Sequence, residues 1–138
     1  MREPLPPPQQ NDQHRKRFWT AFATGYPALR LRYGNTFARW GDVPATELVV
    51  SYNISMRGVG VFVRGQRGIP VRETAAHLMS FSLELALGCP LGDPNFPFLA
   101  WLRTDTFSES NWPVCHAWLF EAGERHIAVL AEIVGGAQ

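Results

Sequence analysis

The sequence of residues 46–65 decides the fold, and it is Thr-Glu-Leu-Val-Val-Ser-Tyr-Asn-Ile-Ser-Met-Arg-Gly-Val-Gly-Val-Phe-Val-Arg-Gly. In each half, apolar residues recur at every second position: Leu48, Val50, Tyr52 and Ile54, then Val59, Val61 and Val63. A period of two is typical of a β-strand with one buried face. Gly58 can adopt the positive φ of a tight turn between the two halves. The stretch therefore predicts a β-hairpin, and it contains no catalytic motif.

Length and composition are those of one globular domain. The chain has 138 residues, of which 46% are hydrophobic and 18% are charged, so it can bury a core without metals or disulfides. No apolar run reaches the roughly 20 residues of a membrane span. The N-terminus also lacks the apolar segment of a signal peptide. We expect a cytoplasmic protein with no membrane contact.

The first residues differ in composition from the rest. Residues 1–13 contain four prolines, followed by glutamine and asparagine. Such a segment buries too little apolar surface to offset the entropy of ordering it. We therefore predict a flexible, proline-rich tail over residues 1–13 and a single domain over residues 14–138.

Outside the hairpin, the patterning predicts three helices and two short strands. The helices are expected at about 14–24, 70–88 and 111–134, and the strands at 28–33 and 98–102. Residues 34–44 contain several turn formers and predict a loop. The fold class is α+β, with an antiparallel sheet of about three to five strands centred on the hairpin at 46–65 and covered by the helices near 70–88 and 111–134.

Helical spacing predicts which faces of the two longer helices are buried. In the helix near 70–88, Leu78, Phe81 and Leu85 form the expected apolar stripe. The last helix has a longer stripe at spacings of three and four: Cys115, Trp118, Leu119, Ala122, His126, Val129, Leu130 and Ile133.

Four short segments occur in an order that resembles a known bacterial family. They are Phe18-Trp19-Thr20-Ala21-Phe22, the hairpin segment from Arg57 to Val63, the end of the middle helix from Leu85 to Gly88, and Asn111-Trp112-Pro113 with His116-Ala117-Trp118-Leu119. Together they resemble the domain of unknown function 4268, of which this chain would be a remote member. The resemblance implies an α+β fold and a setting near restriction systems or mobile elements. It supplies no catalytic residues.

The first enzymatic alternative is a metal-dependent nuclease. Such enzymes hold Mg²⁺ with two carboxylates beside a strand, and a lysine two residues after the second carboxylate orients the attacking water. Asp42 and Glu47 match the carboxylates, but Val49 occupies the position of the lysine. We therefore favour a structural role for both carboxylates.

Thiol and zinc chemistry find little support. Cys115 and His116 are adjacent on a helix, where neighbouring side chains point about 100° apart and cannot form a dyad. A zinc site needs a closely spaced ligand pair, which Cys89, Cys115, His77 and His116 do not provide. We expect no metal, no cofactor and no catalysis.

Binding is the remaining class of function. The candidate binding residues are the arginines of the hairpin region and the preceding strand, together with two tryptophans of the last helix: Arg30, Arg32, Arg57, Arg64, Arg67, Trp112 and Trp118. The leading hypothesis is a non-catalytic module that binds a partner protein, in bacterial or phage defence. The alternatives are a nucleic-acid-binding or degenerate nuclease-associated domain that uses the arginines, and a self-associating subunit such as a homodimer. For the arginines themselves, we favour the structural explanation that they decorate a sheet edge and discourage aggregation.

Overall fold

The computed structural model describes residues 12–137. The predicted tail at residues 1–11 lies outside this range, whereas residues 12 and 13, expected to belong to it, form the start of the first helix. The described residues form, in chain order, α1 (Asp12–Gly25), β1 (Arg32–Asn35), β2 (Ala38–Asp42), β3 (Leu48–Ser55), β4 (Gly58–Gly65), α2 (Val71–His77), α3 (Phe81–Leu87), β5 (Ala100–Arg103), a 3-10 turn (Glu109–Asn111), α4 (Trp112–Ile133) and a closing 3-10 turn (Gly135–Ala137).

The five strands form one antiparallel sheet in the order β1-β2-β3-β4-β5. The central hairpin pairs Val50 with Val63 and Tyr52 with Val61, so the apolar residues of both strands share one face. The predicted α+β class, the antiparallel sheet and the hairpin are therefore confirmed. No helix among residues 12–137 has the length and apolar character needed to cross a membrane.

The main core lies between one face of the sheet and the helices. Val50, Tyr52 and Val61 are fully buried there, against aromatic and leucine side chains of α1, α3 and α4. These helix residues are Phe18, Trp19, Phe22, Leu83, Leu87, Trp112, Leu119 and Leu130.

The opposite face of the sheet has a small apolar cluster, made by Ala38, Trp40 and Val49. We call this side the open face, because the buried aromatic and leucine side chains of the helices all belong to the core on the other side.

The predicted loop at residues 34–44 is wrong, because it contains strand β2. This strand pairs along its whole length with β3. Its Gly41 suggests a turn in the sequence, but in the structure it permits close approach of α4. A Cβ at this position would lie 2.9 Å from Cδ1 of Ile127. Strand β1 begins at Arg32, so Arg30 precedes it rather than lying in it.

The helix predicted at 70–88 is two helices, α2 and α3, with a break between them. The predicted stripe is also partly wrong. Leu78 is buried, but Phe81 and Leu85 are 73% and 67% exposed, while Leu83 and Leu87 lie in the core. The expected end of this region at Gly88 is confirmed by its left-handed conformation after α3.

The last two predicted elements are closer to the structure. Helix α4 coincides with the predicted range within one residue at each end, and its stripe residues Cys115, Leu119, His126 and Leu130 are buried. Strand β5 begins two residues later than predicted, and its Trp101 is exposed on the open face instead of being buried.

Candidate anion-binding face

Strand register brings four side chains into one row across the open face. Arg32 on β1 is paired with Trp40 on β2, Trp40 with Ser51 on β3, and Ser51 with Phe62 on β4. Directly paired residues of antiparallel strands project on the same side of the sheet. Arg64 lies two residues beyond Phe62 and therefore projects on this face as well.

Three guanidinium groups surround the indole ring of Trp40. The Cζ atoms of Arg64, Arg67 and Arg32 lie 4.3 Å, 4.9 Å and 5.7 Å from the ring centroid. Cations over a tryptophan face are attracted by the ring quadrupole, so the indole holds these arginines in place. We call Trp40 with these three arginines the Trp40 cluster.

Backbone carbonyls add a second set of contacts to the cluster. Arg67 Nη2 donates to the carbonyl oxygen of Gly34 at 2.9 Å, and Arg64 Nε donates to that of Gly65 at 3.3 Å. These bonds use only part of the five N–H donors that each guanidinium carries.

One carboxylate faces the cluster, and it is already engaged. Asp42 accepts hydrogen bonds from Arg32 Nε at 3.1 Å and Nη2 at 2.6 Å, and also one from Gln66. The bond from Arg32 is the main cause that lowers the pKa of Asp42 below its ordinary value. Asp42 therefore balances the charge of Arg32 only.

The other two arginines have an excess of positive charge. Burial lowers the pKa of Arg64, and the neighbouring charge of Arg67 lowers it further. A bound anion would compensate for the lost hydration and offset the repulsion, since a guanidinium binds phosphate or carboxylate through two parallel N–H bonds.

A glycine makes room for the indole at the centre of the cluster. A Cβ on Gly34 would lie 2.5 Å from Nε1 of Trp40 and 2.8 Å from Cδ1. The backbone of β1 therefore lies directly against the ring, and the indole N–H of Trp40 is buried without a hydrogen-bond partner among residues 12–137.

The far end of the open face carries a second basic group and an exposed aromatic ring. Trp101 on β5 lies over Gly60, where a Cβ would be 2.5 Å from the ring, and it is 39% exposed. Arg103 projects on the same side two residues further along β5, next to Arg57 of the β3–β4 turn. Phe96 packs edge-on against Phe62 and is also exposed.

Charge is divided unequally along the chain. Residues 28–72, which include strands β1 to β4, contain seven arginines and two acidic residues, whereas residues 73–138 contain two arginines and eight acidic residues. The net charge of +1 therefore conceals a basic sheet region and an acidic helical region. This asymmetry is the sequence signal that could have pointed to the open face.

The structure places the seven predicted binding residues in different environments. It brings Arg32, Arg64 and Arg67 together in the Trp40 cluster. Arg30 is exposed ahead of β1. Arg57 lies in the β3–β4 turn, roughly 20 Å along the strand from Arg64 at about 3.3 Å per residue.

The two predicted tryptophans belong to the helix side of the molecule. Trp112 is buried, and its Nε1 donates to the carbonyl oxygen of Thr106 at 2.9 Å, so it is a core residue. Trp118 is half-buried and packs against the main core. Trp40, the centre of the cluster, is not among the residues that the sequence predicts for binding, because the sequence predicts a loop at this position.

The residues considered for catalysis do not form a site. Glu47 is exposed, and Asp42 is paired with Arg32. Burial raises the pKa of the Cys115 thiol, which makes the thiolate less available, and His116 Nε2 donates to the carbonyl oxygen of Phe18 at 3.1 Å. Residues 12–137 contain no group of three or more His, Cys, Asp or Glu side chains placed to hold a metal ion.

Comparison of the chain with protein-family models, with curated proteins and with solved structures gives no match.

Proposed function

We propose that this protein is a non-catalytic module that binds single-stranded nucleic acid on the open face of its sheet. The observation that carries the proposal is the convergence of three guanidinium groups on Trp40 with one carboxylate among them. Arginines held in this way offer a preorganised site for a phosphate group.

The remainder of the open face favours a nucleic acid strand over a single small anion. Basic groups lie at both ends of β4, at Arg64 and at Arg103 beside the β3–β4 turn, roughly 20 Å apart. Between them Trp101 presents a partly exposed ring. Single-strand-binding proteins combine a basic track for the phosphates with aromatic rings on which bases stack.

The test is a binding titration with a short fluorescently labelled oligothymidine, followed by anisotropy at several salt concentrations. The wild-type affinity should fall as salt rises, because phosphate contacts release counterions. The double variant Arg64→Gln/Arg67→Gln should bind at least about tenfold more weakly, and the slope of log affinity against log salt should decrease by about 1.4 for two lost contacts.

Arg125→Gln is the matched control, since Arg125 is an exposed arginine of α4 on the acidic side of the molecule. It should leave affinity and salt slope unchanged. The proposal fails if the control and the double variant lose affinity equally. It also fails if polyglutamate of the same total charge displaces the oligonucleotide. That result would indicate that the face binds an acidic protein.

A second candidate function, binding of a partner protein, is favoured by an apolar patch on α3 and the residues just before it. Met79, Phe81 and Leu85 are all more than two-thirds exposed, and the last two lie one helical turn apart. Exposed apolar groups of this kind are typical of protein contacts. The patch supports the hypothesis of a protein-binding module, in which α3 rather than the last helix contacts the partner.

Sedimentation of the protein with and without Phe81→Ser/Leu85→Ser distinguishes a copy of the same chain from a different partner. Loss of an oligomer in the variant would identify the patch as a self-association surface. A wild-type protein that stays monomeric at all concentrations would exclude self-association through the patch. The setting in bacterial or phage defence implied by the resemblance stays a prediction.

A further inference from the structure

A cavity of about 530 Å³ lies between the C-terminal half of α1 and the start of α4, on the other side of the molecule from the Trp40 cluster. Its volume falls in the range of small-molecule sites. The residues that line it include Tyr26, Trp112, His116 and Glu109.

The polar groups of this cavity are mainly acceptors. His116 Nε2 donates to the carbonyl oxygen of Phe18, so Nε2 carries the proton. Burial lowers the pKa of His116, so the ring is neutral at pH 7 and its Nδ1 is an acceptor. This Nδ1 has no hydrogen-bond partner among residues 12–137, and the indole N–H of Trp112 is already bonded to Thr106.

The start of α4 adds few donors. Pro113 has no N–H, and the N–H of Trp112 is bonded to the carbonyl oxygen of Glu109. An anion would therefore find little to bind at this helix end, although helix N-termini often bind anions. The aromatic faces and the carboxylate instead suit a positively charged group.

Among residues 12–137, the carboxylate of Glu109 has one weak ion-pair partner. Arg17 Nη2 lies 3.5 Å from Glu109 Oε1, and both side chains are 58% exposed. An exposed ion pair of this length contributes little. A bound cation can therefore compete with Arg17 for the carboxylate.

We propose that the cavity between α1 and α4 binds a small organic cation, an ammonium group attached to an apolar or aromatic body. The ammonium group lies against Glu109 and the ring of Trp112, and the apolar body fills the space beside Tyr26. This site is separate from the open face and does not depend on the function proposed for it.

The experiment is an NMR titration of the intact chain with benzyltrimethylammonium, with benzyl alcohol and benzoate as the neutral and anionic probes of similar size. The indole N–H signal of Trp112 should shift with the cation and not with the other two. Glu109→Gln should weaken binding of the cation by roughly two- to fivefold, as expected for an exposed charge pair. Arg17→Gln should strengthen binding of the cation by a similar factor, because the guanidinium that competes for Glu109 is removed.

Glu132→Gln, an exposed acidic residue near the far end of α4, is the control for loss of one negative charge, and its affinity should equal that of the wild type. Weaker cation binding by Arg17→Gln would show that Arg17 does not compete with the cation for Glu109, and the proposal would be overturned. Equal shifts with benzyl alcohol, or no shift of the Trp112 signal, would also overturn it. All three variants replace exposed side chains, and circular dichroism verifies that they fold.

Discussion

The ring of Tyr52 on β3 lies directly against the Cα atom of Gly123 on α4, so that any side chain at residue 123 would overlap the phenol. This contact sets the distance between the central strand and the longest helix. Tyr52 is fully buried, and Gly123 is buried in the middle of α4. A glycine in a helix interior costs about 1 kcal/mol relative to alanine, and here it permits the close approach.

Gly123→Ala should therefore destabilise the protein. The alanine raises helix propensity by about 1 kcal/mol, but overpacking costs typically 1–3 kcal/mol and occasionally more, so we expect a net loss of up to about 2 kcal/mol in urea unfolding. Gly25→Ala is the control, because no atom lies within 4 Å of a Cβ at that position. Equal stability of the two variants would contradict the contact.

Tyr52→Phe should raise stability by about 1 kcal/mol, because it removes a buried hydroxyl. This hydroxyl has no partner among residues 12–137. Burial also raises the pKa of Tyr52, whereas in the unfolded chain a tyrosine ionises near pH 10. Wild-type stability should therefore fall as the pH rises above about 10, and Tyr52→Phe should lack this contribution. Tyr33→Phe, which removes an exposed hydroxyl, is the control. A variant less stable than the wild type would show that the hydroxyl is satisfied.

His126 should make the protein sensitive to acid. Its Nε2 lies 2.9 Å from the carbonyl oxygen of Phe98, yet burial lowers its pKa below the ordinary value. The unfolded chain binds the proton first, near pH 6.5. Stability is therefore present above pH 6.5 and is lost below it, by up to about 1.4 kcal/mol per pH unit for one proton.

Urea unfolding between pH 7 and pH 5 measures this slope. His126→Gln keeps a donor for Phe98 and should reduce the slope, leaving the part due to His116, whose pKa is also lowered by burial. His77→Gln, at an exposed position of α2, should leave the slope as in the wild type. An unchanged slope in His126→Gln would assign the acid sensitivity elsewhere.

Leu83→Ala and Leu85→Ala form a matched pair on α3. Leu83 is buried in the main core, so its truncation should cost about 2–5 kcal/mol. Leu85 is exposed, and its truncation should change stability by less than about 0.5 kcal/mol. A larger loss of stability in Leu85→Ala than in Leu83→Ala would instead support the buried stripe predicted from the sequence.

Gly34→Ala tests whether the Trp40 cluster holds its arginines in place. The added Cβ displaces the indole, so stability should fall by about 1–3 kcal/mol. Oligonucleotide affinity should also fall, although no charge is removed. Gly68→Ala is unsuitable as a control because Gly68 has a positive φ; Ala28→Gly, an exposed position ahead of β1, is preferable. Unchanged oligonucleotide affinity in a folded Gly34→Ala protein would show that the arrangement of the Trp40 cluster is not needed for binding.

Local patterns were sufficient where one periodicity had one interpretation. The alternation in β3 and β4 predicted their buried faces, and the stripe of α4 predicted its core residues. Helix α3 shows the limit of such patterns. Phe81 and Leu85 are four residues apart, and so are Leu83 and Leu87, so the sequence contains two stripes of equal spacing. Only the positions of α4 and the sheet decide which stripe is buried.

The sequence by itself determined the hairpin, the α+β class and the last helix, because these depend on contacts that a period of 2 or 3.6 residues encodes. The tertiary structure alone decided the candidate site. Arg32, Arg64 and Arg67 converge on Trp40 because β2 lies between β1 and β3, and this strand is hidden in a segment that resembles a loop. Strand order and register are set by long-range pairing, and no local pattern around any one of these four residues contains that information.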